Sequence, residues 1–508
     1  METPSARRWF ALGALALAVL ATALDLTILN VALPTLAGDL HATTTDLQWF
    51  SAAYMLTVAA FMLPIGALGD RYGRRKFLAA ALVVFGLASA WCAYSGSSNE
   101  LIAARIALGL GGATIMPLSM AQMPVLFPDV RERDRATAVW IAALAVGMPL
   151  GPLLGGWLLQ HYWWGSVFII NVPLTLVGLA AVLTLVPESR SATALPPDLI
   201  GTVLSSLGLV GITYGFIRAG QEGWGDALVS ATVVAGVVLI ALFVVQQRRV
   251  RHGLIDLNLF ADRAFRWGSV YAVLNAFVMG GLVFTVPLYF QGVLGADAFG
   301  SGLRLLPMVA GMLVANGCAD LLKTKLGARP TLIGGFGISA VGMVLGAFTK
   351  SSMGYWYSGV WTTILGLGLG LVMITATNLA LGSLTAERSG VGSAVITVLR
   401  NAGMTLGPAV LVTVVANRYH EQLGAANRPP VNESVIAGVG VADQAHDEAL
   451  LDHVRSAFTS GMDLLLVIGA GICVVSVGLV AVTLRRATAV PLEDDIEADA
   501  RTPTHRVG

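Results

Sequence analysis

Fourteen stretches of about twenty apolar residues follow one another along the chain, near 9–33, 47–68, 77–95, 100–123, 135–159, 165–186, 199–219, 227–246, 267–291, 301–322, 330–349, 355–383, 390–416 and 460–484. A bilayer core about 30 Å thick is crossed by about 20 apolar residues in a helix. Charged residues make up only 12% of the 508, against roughly 25% in soluble domains. So few charges cannot cover a water-exposed surface, which excludes soluble and disordered readings. The fold class is all-α and polytopic in a membrane.

The remaining composition removes several functions. A net charge of +1 leaves no footprint for nucleic acid. The three cysteines, Cys92, Cys318 and Cys473, each lie inside an apolar run and support neither a disulfide framework nor a zinc site. Arginine outnumbers lysine 27 to 4, a bias that fits a GC-rich bacterial coding sequence and so a bacterial cytoplasmic membrane. With the N-terminus inside, 23 of the 31 basic residues fall in cytoplasmic segments, six in external ones, and only Arg105 and Arg400 within helices. An even span count then places both termini in the cytoplasm. Arg7-Arg8 ahead of an apolar run ending near Ala21-Thr22-Ala23 imitates an export signal. The run stays apolar through Leu36, and thirteen further spans follow, so it reads as the first transmembrane helix.

The chain also repeats itself. Gly147-Met148-Pro149-Leu150-Gly151-Pro152 in the fifth span returns as Gly403-Met404-Thr405-Leu406-Gly407-Pro408 in the thirteenth, 256 residues later. Val31-Ala32-Leu33-Pro34 closes the first span as Val286-Pro287-Leu288 closes the ninth. The expected organisation is a six-helix bundle at 1–190, an inserted helix pair at 191–254, a second six-helix bundle at 255–486 with an external loop at 418–457, and a cytoplasmic tail at 487–508. Paired halves around a central site are the plan of secondary transporters. Within the external loop, Leu450, Leu451, Val454 and Phe458 keep helical spacing and predict an amphipathic helix that caps the outer face.

Few residues in the spans carry chemistry. Asp25 lies near the middle of the first span, where a charge costs roughly 2.5–3.5 kcal/mol. A carboxyl carried between wet and dry surroundings can load and release a proton. Arg105 on the fourth span is its natural partner, and a purely structural Asp–Arg pair is the alternative. Arg400 has no embedded acid nearby in sequence and reads as a cavity-lining or carbonyl-capping residue. Asp320 and Asp463 read as interfacial. There is no Gly-Lys dipeptide, hence no Walker A loop and no internal ATPase. The seven histidines (His41, His161, His252, His420, His446, His453, His505) fall in expected loops or tails, which denies a histidine relay or an intramembrane metal centre. Gly366-x-Gly368-x-Gly370 lacks the spacing of a dinucleotide fingerprint and reads as close helix packing.

Between the second and third spans runs Gly66-Ala67-Leu68-Gly69-Asp70-Arg71-Tyr72-Gly73-Arg74-Arg75-Lys76. Its glycines permit a tight turn, and the Asp70 carboxylate sits among cations where it can bond to a neighbouring helix terminus. This loop resembles motif A of the major facilitator superfamily, which implies a cytoplasmic latch formed by Gly66, Asp70, Arg71, Gly73, Arg74 and Arg75. Leu101 to Ala113 resembles motif B through Arg105, Gly109 and Gly112, with Leu108 where a glutamine is usual. Gly147-x-x-x-Gly151-Pro152-x-x-Gly155-Gly156 is similar to motif C, the signature of the exporting branch. Residues 24–34 resemble the first-helix motif of the fourteen-helix drug:proton antiporters, and Trp164, Phe168, Asn171 and Pro173 resemble a pattern at their sixth helix. Small residues four apart also let helices meet backbone to backbone, while Pro152 deletes a hydrogen bond. That is either plain packing around a kink or a deformable gate seam, and the resemblance selects the seam.

The resemblance implies a major facilitator fold with two extra helices, working as a monomer by alternating access. The expected activity is proton-coupled export of amphipathic, cationic or neutral drugs or antibiotics, without ATP or cofactor and driven by the proton gradient. By analogy helices one, four, nine and twelve line the cavity, and they offer Asn30, Met116, Met120, Tyr271, Asn275, Tyr289, Met373 and Asn378 beside Arg400. The rivals are a dedicated exporter of one antibiotic, lipid or siderophore, and a membrane-embedded transferase, for which the spans supply no cluster of acids or histidines.

Overall fold

In the computed structural model the described residues are 5–190, 198–250, 253, 255–350, 353–384 and 386–484, and they are helical almost throughout. Fourteen long helices follow in order: α1 Ser5–Asp39, α2 Thr44–Tyr72, α3 Arg74–Ala93, α4 Ser98–Ala121, α5 Val130–His161, α6 Asn171–Leu185, α7 Leu199–Glu222, α8 Ala227–Arg249, α9 Arg263–Leu288, α10 Ala298–Leu326, α11 Ala328–Gly346, α12 Tyr355–Leu381, α13 Ala386–Leu423 and α14 Glu448–Thr483. Thirteen of these segments are long and apolar enough to cross a membrane, and α5, 32 residues long, occupies the remaining place.

Side-chain caps explain where the helices start. Thr43 and Asp46 form a reciprocal capping box at α2, with Thr43 N donating to Asp46 Oδ2 at 2.9 Å. Asp262 and Asp297 accept from the backbone amides of Phe265 and Gly300 to start α9 and α10. Asp226 caps α8, and the Val229 amide, followed by Arg218, holds its carboxyl below the usual carboxylate range. Gly73 alone separates α2 from α3 at φ +132°, a conformation that disfavours any side chain.

The packing repeats with the sequence. In the first set α1 lies on α5 and α6, α2 on α4, and α3 on α4 and α6. In the second, α9 lies on α13, α10 on α12, and α11 on α12 and α14. Two seams join the sets, α2 against α13 and α5 against α10. The α7–α8 pair packs on itself and sends α7 against α2 and α13, where Thr413 Oγ1 donates to the Phe216 carbonyl at 2.9 Å. Both copies of the repeated glycine motif face the first helix of their own set. A Cβ on Gly147 would come 2.6 Å from Ala23 Cβ, and one on Gly155 2.6 Å from Ile28 Cγ1. One on Gly403 would come 2.8 Å from the Val273 carbonyl, and one on Gly407 would strike the Phe277 carbonyl.

Several details differ from the sequence reading. α1 continues past Pro34 to Asp39, and beyond Pro287 the ninth span stays helical as a π turn over Tyr289–Val293, so neither proline closes its span. The amphipathic residues Leu450 to Phe458 are the first turns of α14 itself, and the separate helix before them is Val435–Ala445. His161, His420 and His453 are helical, the first two in last turns and His453 near the start of α14. The tail 487–508, with His505, and also His252 and the Asp320 side chain, lie outside the described residues.

The glycine contacts make opposite predictions at two sites. Gly151 faces Thr27 so closely that the single methyl of Gly151→Ala must displace α5 from α1, at about 1–3 kcal/mol. Gly337 on α11 has nothing within 4 Å of its missing Cβ, so Gly337→Ala gains up to about 1 kcal/mol of helix propensity. Thermal unfolding in detergent is expected to show a lowered midpoint for the first variant and an equal or raised one for the second. The same direction in both would mean that α5 does not meet α1 through this face.

Candidate functional site

The two charges buried on α1 and α4 meet. Arg105 Nη1 donates to Asp25 Oδ2 at 2.6 Å, with side-chain exposures of 2% and 0%. Arg105 Nε donates to the Phe50 carbonyl of α2 at 2.9 Å, and the guanidinium lies 4.7 Å from the Tyr54 ring centroid. One side chain thereby ties α4 to α1 by charge and to α2 by a backbone carbonyl and an aromatic face. Asp25 Oδ1 is buried without a hydrogen-bond partner. The glycines of the fourth span make room for this arrangement: a Cβ on Gly109 would meet Thr57 Cβ at 2.7 Å, and one on Gly112 would strike the Tyr54 hydroxyl.

Arg105 forms part of the wall of a narrow cleft between the two sets of helices, with Asp25 buried behind it. Leu26, Leu29 and Asn30 of α1, Ser51, Ala52 and Met55 of α2, and Arg105 of α4 line one side. Gly280, Val283 and Phe284 of α9 with Met404, Thr405 and Pro408 of α13 line the other. Of the cavity residues expected from sequence, Asn30 lines the cleft, and its Nδ2 donates to the Leu26 carbonyl at 2.9 Å. α12 contributes nothing to this wall; α2 and α13 do, because the seam between the sets runs along them. Tyr271 lies in the core of the second set, its hydroxyl bonded to Thr483 Oγ1, and Tyr289 reaches Ser358 Oγ at 3.3 Å in the same core. Asn275 is buried with Oδ1 unpartnered, Met116, Met373 and Asn378 are half-buried, and Met120 is exposed. Arg400, half-buried one turn along α13 from Met404, donates from Nη2 to Met373 Sδ at 3.5 Å. Asp463 lies fifteen residues into α14, half-buried, with Oδ1 buried and unpartnered.

The motif C segment touches both sets. Gly147, Gly151 and Gly155 face α1, whereas a Cβ on Gly156 would come 2.5 Å from Phe299 Cα of α10. The Pro152 carbonyl faces Gly302 of α10, and at the other seam the Pro408 carbonyl accepts from Gln48 Nε2 at 3.3 Å. Further links join the sets at the end that carries the α1–α2 turn. Thr44 donates from its amide and hydroxyl to the Glu433 carbonyl at 3.0 and 2.7 Å, Gln291 to the Val31 carbonyl at 3.0 Å, and Gln160 to Asp297 at 3.3 Å.

At the opposite end the motif A loop bonds within the first set. Among the described residues Asp70 Oδ1 accepts from Arg74 Nε at 2.6 Å, and Arg74 Nη1 caps α4 by donating to the Ala121 carbonyl at 3.0 Å. The cation takes the terminal carbonyl because a carboxylate would be repelled there. The Arg75 amide donates to Glu188 at 3.1 Å, its side chain donates to the Leu183 carbonyl, and Arg71 lies exposed beside the Tyr72 ring. Gly66 has only Pro117 near its missing Cβ, and Gly73 faces the Glu188 carboxylate. Among the described residues no three His, Cys, Asp or Glu side chains gather as a metal site.

Comparison with known proteins follows this geometry. The family profile of the Major Facilitator Superfamily matches residues 15–408. The Tetracenomycin C resistance and export protein of Streptomyces glaucescens is 30% identical over 98% of this chain and 94% of its own. The multidrug efflux pump LfrA of Mycolicibacterium smegmatis is 33% identical over 96% and 98% respectively, and the methyl viologen resistance protein SmvA of Salmonella typhimurium 30% over 89% and 93%. Among solved structures, a bacterial homologue of the lysosomal transporter Spinster in an inward-facing, unoccupied conformation shares the fold. It has a TM-score of 0.67 at 15% identity, covering 95% of this chain and 98% of that one.

The loop geometry predicts the effect of removing one charge. Asp70→Asn leaves Arg74 without the carboxylate that aims it at Ala121, while the cleft is untouched. Dye binding to purified protein is expected to stay within about twofold, whereas the rate of transport in vesicles falls by about tenfold, the equivalent of one charged hydrogen bond. Collapse of binding at an unchanged rate of conformational exchange would place Asp70 in the substrate site instead.

Proposed function

The chain belongs to the Major Facilitator Superfamily, a family of transporters and not of enzymes, and from that premise we propose that it exports amphipathic drugs or antibiotics across the bacterial cytoplasmic membrane in exchange for protons. Near full-length likeness to efflux and resistance proteins supports the direction of transport and the substrate class. The tetracenomycin relative keeps the narrower reading, export of a single antibiotic, as the alternative.

The Asp25–Arg105 pair carries the proposal for coupling. Both groups are withdrawn from water, Arg105 at the cleft wall and Asp25 directly behind it, and Oδ1 of Asp25 can take a proton while Oδ2 keeps its bond to Arg105. Protonation leaves Arg105 as an uncompensated cation and so weakens the link between α1, α2 and α4; deprotonation restores it. Proton and substrate then act on one wall of one cleft, as antiport requires. The functional unit is a monomer of two six-helix units, 1–190 and 255–486, with the inserted pair 191–254 against one seam. Both termini lie in the cytoplasm, so the bonds around Thr44, Gln160 and Gln291 close the external end.

Two measurements test this reading. Asp25→Asn is expected to abolish gradient-driven dye efflux and substrate-induced proton release from purified protein. Release equal to the parent's would move the carrier elsewhere, with Asp463 the next candidate. For orientation, single cysteines placed in a cysteine-free background at Gly440 and Ile255 are expected to react with an impermeant reagent from outside at 440 only. The reverse pattern overturns the topology.

A further inference from the structure

Arg105 is the one charged residue among the described residues that line the cleft, and Asp25 behind it neutralises it. A second cation stands just beyond that lining. One turn along α13, on the face that presents Met404 and Pro408 at i+4 and i+8, stands Arg400. A guanidinium carries five N–H donors that match a carboxylate or phosphate in a planar fork. Here one of them meets a thioether, a weak acceptor, and no carboxylate among the described residues is within ion-pair reach. A cation in this position within a membrane bundle, half-buried and without an anion, calls for a ligand rather than a structural partner.

We infer that Arg400 is the anion-recognition residue of the substrate cavity, and that the protein accepts amphiphiles bearing a carboxylate, sulfonate or phosphate. This rests on the exporter reading and replaces the expectation of cationic or neutral cargo with a site that pairs an anionic head. The fork of Arg400 takes the head from the α13 side. Met373 and Met404 offer adaptable thioether surfaces beside it, and Met55, Val283 and Phe284 receive the apolar body. A cation of the same shape meets Arg400 without a counter-charge and is discriminated against at this point alone.

Two xanthene dyes of opposite charge test the inference, fluorescein as the anion and rhodamine 6G as the cation, each titrated into the purified full-length protein in neutral detergent. Loss of one charge-assisted pair is expected to weaken fluorescein binding by about tenfold or more in Arg400→Gln, with rhodamine 6G changed by less than about twofold. Arg400→Lys, which keeps the charge but not the fork, is expected to recover part of the affinity and to show that the position tolerates replacement. Equal weakening of both dyes, or no change in either, overturns the inference. So does a parent protein that binds rhodamine 6G and refuses fluorescein, an outcome that leaves the exporter reading standing. Binding and export of neither dye counts against both. Repeating the titration in nanodiscs with and without an anionic lipid separates the sources of the anion. Loss of fluorescein binding when the lipid is present assigns Arg400 to a lipid headgroup and overturns the substrate assignment.

Discussion

The ion pair between Asp25 and Arg105 holds the first set of helices in the form on which the cleft depends. Both side chains are buried, so each charge relies on the other: removing one partner from such a pair costs about 3–5 kcal/mol. Arg105 uses its remaining donors and its ring contact to bind α2, through the Phe50 carbonyl and Tyr54. Three helices are therefore fixed by one side chain. The glycines at 109 and 112 follow from this demand, since a larger residue at either would push α2 away from the guanidinium.

Around that anchor the architecture is built from backbone contacts. α5 meets α1, and α13 meets α9, through glycines that leave no space for a methyl group. On the glycine side of such contacts no side chain can change rotamer to absorb motion. At the seams between the sets glycine packing, Gly156 on Phe299 and Gly302 on Pro152, is joined by side-chain bonds: Gln48 to Pro408, Gln291 to Val31, Gln160 to Asp297. The inserted α7–α8 pair covers one seam, α2 with α13, and leaves α5 with α10 uncovered by it. The additional helices therefore make the two seams unequal although the sets themselves repeat.

Much of this was legible in the residues alone. Span number, the repeat at 147 and 403, and the Asp25–Arg105 pair all follow from how rarely a charge or a glycine pattern survives in an apolar run without a purpose. Other features were hidden for physical reasons. Pro34 and Pro287 looked like helix ends, yet membrane helices continue through proline when neighbours satisfy the freed backbone groups. The cavity walls on α2 and α13 are lined by Ala52, Met55, Met404 and Thr405, ordinary residues whose role comes only from tertiary placement. That Arg74, aimed by Asp70, closes the C-terminal end of α4 could not be read from the order of residues in the loop.

The distribution of polar bonds along the bundle bears on how the cleft opens. At the α1–α2 end the links around Thr44, Gln160 and Gln291 run from one set to the other, so separating the sets there breaks several hydrogen bonds at once. At the motif A end the bonds of Asp70, Arg74 and Arg75 among the described residues run within the first set. A transporter cycle needs the reverse arrangement in its other state, with the first end released and the second held. The neutral bonds of Thr44 and Gln291, worth about 0.5–1.5 kcal/mol each, are suited to repeated exchange with water, and the one from Gln160 to the Asp297 carboxylate is worth about 1.5–3 kcal/mol. The charged groups of the loop, already oriented on α4, can be offered to the second set without first being assembled. The two ends thus differ in chemistry as well as in closure, and the glycine-packed pairs between them transmit the difference as rigid bodies.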